Sequence, residues 1–362
     1  MLIHNKIFFS VEANNPCLND ILAPLGDVTN LSNVSEASLP VNHNIPQVKL
    51  SYIPKFSLDG MRNFGDSLMM KPKVLVDLKY KAQLSTLSDG TLHLQSNNSS
   101  LEWTGWLMQL ALLKTQATFM HVAGLEKNGK ALLFPSWRGV SKTPLVNGFV
   151  KNYDWKLLGD DYVIVDDHGT CYSYPLPMTI YAYHKEIFPE LFAQKNRFTV
   201  SKSFYSCSSF AALMLKPILR KYPQLLDLAR RYNPKFIYLN PSEVFGEEKM
   251  ASTAKLETVV WLDRVAGISE PILKPTDNLL ASRIVSSTLK EQDPWVVEAT
   301  NVACGLGILN FRHIYPDWLD IVEKAIADVK GWILYLPTEI AVEDVSKVVH
   351  NTLKQAQVLE DF

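Results

Sequence analysis

Ala131-Leu132-Leu133-Phe134-Pro135-Ser136-Trp137-Arg138-Gly139-Val140-Ser141-Lys142-Thr143 is the stretch on which the reading of the chain turns. An apolar run of strand length enters a short loop and meets Lys-Thr where a helix starts. That is the layout of a phosphate-binding loop. Backbone N–H groups and the positive end of a helix dipole hold anionic oxygens in such a loop. In that layout Lys142 meets the β- and γ-phosphates, and Thr143 offers a hydroxyl to Mg²⁺. The common pattern GxxxxGK[ST] has glycine where this chain has Ser136 and Ser141, with Gly139 inside the loop. Serine enters left-handed backbone less readily than glycine, so a shifted or weaker loop is expected.

Upstream, Thr118–Leu125 and Lys130–Phe134 read as strands joined by Glu126-Lys127-Asn128-Gly129. The Asn-Gly pair predicts an antiparallel hairpin. His121 falls in the first of these strands. Downstream, Leu145–Val150 starts a helix, and Trp155–Leu158 and Tyr162–Val165 read as strands around Gly159-Asp160-Asp161. Phosphoryl transfer needs one carboxylate to organise Mg²⁺ and often another to deprotonate the attacking hydroxyl. An Asp-Asp pair at a strand end after a phosphate loop meets that need. His121 is expected within direct or one-water reach of Asp161, on a neighbouring strand end. Arg138, inside the loop, is expected to point inward, whereas Arg264 and Asp166-Asp167-His168 read as surface features.

His121, the Ser136–Thr143 loop and Asp160-Asp161 together resemble the HPr kinase-like family, related through its phosphate loop to phosphoenolpyruvate carboxykinase. Tyr174-Pro175-Leu176-Pro177 and the segment from Asn240 to Gly246 resemble later parts of its smaller kinases. The match is dense over about residues 118–180, looser beyond, and absent from the first hundred. The resemblance implies ATP and Mg²⁺ as cofactors, held by Ser136, Trp137, Arg138, Gly139, Val140, Ser141, Lys142 and Thr143. It implies Thr143 and Asp160 as the Mg²⁺ residues. Asp161 becomes the base for the acceptor hydroxyl, with His121 tuning its charge. The glycine-rich signature of HPr kinases proper is missing, so HPr is not implied as the acceptor. A hydroxyl of a peptide or protein serine, or of a small molecule, is expected instead. A nucleotide-binding pseudokinase that regulates a partner is the alternative, favoured by the two serines.

The 362 residues are 47% hydrophobic and 20% charged, the make-up of a packed globular protein. A net charge of −1 gives no field for nucleic acid. The four cysteines, Cys17, Cys171, Cys207 and Cys304, form no CxxC pair and read as reduced thiols. No apolar run reaches the roughly 18 residues of a membrane span, and the N-terminal run is too short for a signal peptide. A cytoplasmic protein is expected, and family members often form homo-oligomers. A β-rich region over residues 1–98 and a kinase-like domain over 99–362 are expected. A loop is expected at Gly26–Asn44, helices at Leu101–Ala117, Phe210–Tyr232, Asp277–Leu289, Trp295–Cys304, Trp318–Val329 and Val342–Leu353, and strands at Leu256–Leu262 and Trp332–Leu336. Hairpins mixed with helical blocks predict an α/β or α+β fold around a mixed sheet.

Overall fold

The computed structural model describes residues 2–3, 7–11, 47–65, 67–96, 101–174, 176–194, 236–309, 311 and 313–362. The expected loop at Gly26–Asn44 and helix at Phe210–Tyr232 lie outside them. The fold is α+β, built on mixed sheets. In chain order the strands are β1 (Leu2–Ile3), β2 (Ile7–Val11), β3 (Gln47–Tyr52), β4 (Arg62–Phe64), β5 (Leu68–Lys71), β6 (Val74–Asp77), β7 (Ala82–Thr86) and β8 (Leu92–Ser96). There follow α1 (Leu101–Leu113), β9 (Ala117–Met120), β10 (Val122–Lys127), β11 (Lys130–Pro135), α2 (Lys142–Asn152), β12 (Lys156–Gly159), β13 (Val163–Asp166) and β14 (Thr170–Ser173). Next come β15 (Met178–Tyr181), α3 (Pro189–Gln194), β16 (Phe236–Leu239), α4 (Pro241–Phe245), β17 (Thr253–Val265) and β18 (Ile272–Pro275). The chain closes with α5 (Leu280–Lys290), α6 (Pro294–Gly305), α7 (Ile314–Ile326), β19 (Lys330–Pro337) and α8 (Val345–Gln355).

Strands β1–β8 form an eight-stranded sheet in the order β1-β2-β3-β8-β7-β6-β5-β4. Its alternation is plain in β8, where Leu92 and Leu94 are buried and His93 and Gln95 face the other way. Asp77, at the end of β6, ties this sheet to the helices. Its carboxylate accepts from the indole N–H of Trp103 on α1 at 2.9 Å and of Trp295 on α6 at 3.0 Å. The backbone N–H groups of Lys79 and Tyr80 donate to it as well.

The second sheet runs β12-β10-β11-β17-β14-β13-β9, with β19 beside β17 and β18 beyond it. Asn128 and Gly129 both have positive φ, 53° and 79°, so the β10–β11 loop is the two-residue turn that matches strand twist. β17 takes β11 in parallel along one edge. Its other edge takes β14 antiparallel near its start and β19 in parallel along the rest. Side chains of β11 alternate between two cores. Ala131 and Leu133 join the larger cluster with α1, α5, α6, α7 and the first sheet, whereas Leu132 and Phe134 face α2 and α8. Helices therefore cover both faces. α2 and α8 meet at Gly148, where an added Cβ would lie 2.0 Å from Ser346 Oγ.

Two local expectations change. The strand expected over Thr118–Leu125 breaks at His121, because β9 pairs with β13 while β10 pairs with β11 and β12. Asp166 is not a solvated turn residue: it is buried and accepts from His168 N, Thr170 N and the Tyr172 hydroxyl. Among the described residues no helix is long and apolar enough to cross a membrane.

Candidate functional site

β11 ends at Pro135, and Ser136 extends it by one parallel bridge to Leu262 of β17. The loop that follows delivers the chain to α2, whose first turn carries Lys142, Thr143 and Pro144. Proline is tolerated there because the first N–H groups of a helix have no partner inside it. The loop lies beyond the carboxyl end of β11 and beside that of its parallel neighbour β17, where open α/β sheets hold ligands. Of the two serines at glycine positions, only Ser141 has left-handed backbone, with φ 72° and ψ 42°. Ser136 lies outside that region, so its side chain imposes no strain.

Lys142 is only 8% exposed. Its Nζ lies 3.1 Å from His121 Nε2 and 3.3 Å from Ser136 Oγ. Burial lowers the Lys142 pKa, while the carboxylates of Asp161, Asp160 and Glu291 oppose the shift. An ammonium has only donors, so His121 Nε2 is the acceptor and the ring proton sits on Nδ1. Burial, with Lys142 and Arg138 nearby, pushes His121 down to about 3. The imidazole is therefore neutral at physiological pH. Its backbone N–H donates to Thr288 Oγ1 at 2.9 Å, which fixes the break between β9 and β10 to α5.

Asp160 and Asp161 follow Gly159 at the end of β12. Asp160 is 5% exposed and accepts from the Thr143 hydroxyl at 2.9 Å. Its other oxygen, Oδ1, has no hydrogen-bond partner among the described residues. Burial and the adjacent Asp161 charge raise its pKa. Asp161 faces outward with its side chain 48% exposed, and its Oδ1 stands 4.0 Å from His121 Nε2. Its carbonyl accepts from Val122 N at 3.0 Å, which holds the turn to β10. The contact with His121 joins a carboxylate to a neutral ring. His121 and Asp161 thus lie within the expected reach of each other, and the closer bond of His121 is to Lys142.

The remaining loop residues divide. Val140 is buried in the core beneath α2, and Gly139 turns the chain at φ 89°. Trp137 packs edge-on against Trp261, with Lys290 Nζ over its ring. Arg138 does not point inward. Its side chain is 85% exposed, and Nη2 pairs with Glu291 Oε2 at 2.8 Å, drawn out by the carboxylate just past α5. Arg264 is the arginine that reaches the loop, donating from Nη2 to Ser141 Oγ at 3.1 Å. Thr288, Glu291 and Arg264 lie more than a hundred residues from the loop in sequence, and no local motif announces them.

Thr143 and Asp160 present hard oxygen donors, and Asp160 Oδ1 is buried without a hydrogen-bond partner among the described residues. This set fits Mg²⁺, which takes one or two protein oxygens and fills its shell with water and phosphate. Among the described residues no group of three or more His, Cys, Asp or Glu could enclose a metal ion by itself. No protein-family model matches the chain, and no curated protein matches it in sequence.

Proposed function

We propose that the chain binds Mg²⁺-ATP at the Ser136–Thr143 loop and transfers the γ-phosphate to a hydroxyl, as HPr kinase-like proteins do. The acceptor is a peptide or protein serine or a small molecule. One observation carries this reading: the Lys142–His121 and Thr143–Asp160 bonds bring strand break, loop, helix start and Asp pair into one corner. A structural role alone gives no reason to bury a lysine and a carboxylate with an unpaired oxygen there.

Each residue has a distinct task. Lys142 meets the β- and γ-phosphate oxygens. Thr143 and Asp160 are the residues that would hold Mg²⁺, which when bound neutralises charge on the phosphates. Asp161, half-exposed, is free to take the proton of an acceptor hydroxyl. His121, neutral, keeps Lys142 in place through Nε2.

The second reading is nucleotide binding without turnover. The Arg138–Glu291 pair favours it, because it takes the loop's own arginine away from the phosphates.

Calorimetry with Mg²⁺-ATP, run beside release or transfer of labelled γ-phosphate to water, a panel of alcohols and a library of serine-containing peptides and proteins, tests both. Lys142→Ala should weaken binding and transfer together. Asp161→Asn should keep binding and lower transfer by about 10²–10⁴-fold, since an amide cannot accept the proton. A wild-type chain that fails to bind Mg²⁺-ATP refutes both readings. Binding without any transfer leaves only the second.

A further inference from the structure

We infer that Arg264 and Ser141 together do the work of the second glycine of a phosphate-binding loop. Arg264 is a positioning residue that holds Ser141 in the left-handed conformation. The inference rests on the nucleotide-binding reading above for its purpose, although not for its geometry.

Ser141 occupies the N-cap of α2 at φ 72° and ψ 42°. Residues with a Cβ enter this region seldom, and a loop that needs it normally uses glycine. A serine at an N-cap usually takes extended backbone and bonds back to an N–H of the first turn. Ser141 does neither: its side chain makes no capping bond, and its Oγ accepts from Arg264 Nη2. Arg264 sits one residue from the end of β17. Its Nη1 donates to the carbonyls of Thr338 and Ile340, each at 3.2 Å, in the turn after β19. The planar fork is therefore fixed from the far side. A serine that rotated toward right-handed backbone would have to give up this anchored donor.

The arrangement also leaves the first N–H groups of α2 without a side-chain cap from Ser141, and these are the donors an anion would use. The buried, unpaired Oδ1 of Asp160, whose other oxygen accepts from Thr143, is a second and separate feature that points to a ligand beside the first turn of α2. A glycine would supply the conformation alone. The Ser–Arg pair supplies it and links the loop to the ends of β17 and β19.

The test is a set of four full-length proteins: wild type, Arg264→Met, Ser141→Gly and the double variant. Mg²⁺-ATP affinity is measured alongside the backbone chemical shifts of residue 141. Arg264→Met should weaken Mg²⁺-ATP binding about tenfold, the factor equivalent to the left-handed penalty of an L-residue. Adding Ser141→Gly should restore affinity to within about threefold of wild type, because glycine needs no restraint. Rescue separates positioning from mere support, since glycine cannot restore the bonds to Thr338 and Ile340. A double variant as weak as Arg264→Met overturns the inference. The shifts decide without nucleotide: Ser141 should be left-handed in wild type and leave that region in Arg264→Met. If it stays, the inference fails. A wild type that binds no Mg²⁺-ATP, yet shows this change, refutes the nucleotide reading while the Arg264–Ser141 restraint stands.

Discussion

Gly159→Ala places a methyl group where backbone already lies. A Cβ built on Gly159 falls 2.1 Å from the Tyr162 carbonyl oxygen, 3.1 Å from its carbon and 3.3 Å from Val163 Cγ2. The first two atoms belong to the turn that carries Asp160 and Asp161, so no change of rotamer relieves the overlap. The turn itself must move. Overpacking of this kind costs about 1–3 kcal/mol. Gly105 provides the opposite case: it is exposed within α1, and a Cβ there meets nothing within 4 Å. Alanine in a helix interior is favoured over glycine by about 0.5–1 kcal/mol. The same substitution should therefore have opposite signs at the two positions, separated by about 1.5–4 kcal/mol. Urea unfolding followed by tryptophan fluorescence measures the difference. Mg²⁺-ATP affinity should also fall in Gly159→Ala, which displaces Asp160, and hold in Gly105→Ala. Equal stability of the two variants, or Gly159→Ala at wild-type stability, refutes the close approach.

Asp77→Asn puts an amide NH₂ in place of the oxygen that receives two indole N–H groups. It should destabilise the fold by about 2 kcal/mol or more, seen as a lower unfolding midpoint, since each buried unpaired donor costs about 1–3 kcal/mol. His121 has its folded pKa held at about 3, below the ordinary 6.5, so the unfolded chain binds more protons between these values. The stability it contributes is present above about pH 6.5 and drains away as pH falls toward 3. His121→Gln, which can still accept from Lys142, should show a shallower loss over that window; parallel pH profiles from urea titrations would sink the assignment.

The features that sequence exposes are those built from neighbouring residues. Asn128-Gly129 announces its hairpin because both residues adopt the positive φ that a two-residue turn demands. Lys142 and Thr143 are legible because strand, loop and helix are contiguous. β4 is not: Arg62, Asn63 and Phe64 are all exposed, so no apolar alternation marks the strand. Arg138 misleads because its direction is set by Glu291, 153 residues away, and not by the loop. Arg264 misleads in the other direction, because its bonds depend on where β17 and β19 end. The walls of the site come from α5 and β17, whose position follows from packing of the whole sheet.

The parallel pairing of β17 has a consequence for synthesis of the protein. Lys130–Leu133 pair with residues between Lys255 and Val259, and β17 then pairs with Lys330–Pro337. A ribosome that has delivered residues 1–250 has made the hairpin, the loop, α2 and the Asp pair, but neither parallel neighbour. Until β17 emerges, the second edge of β11 presents unpaired N–H and C=O groups between apolar side chains, a template for another nascent chain. Chains cut short in this interval carry every residue of the loop yet have no β17 to hold it.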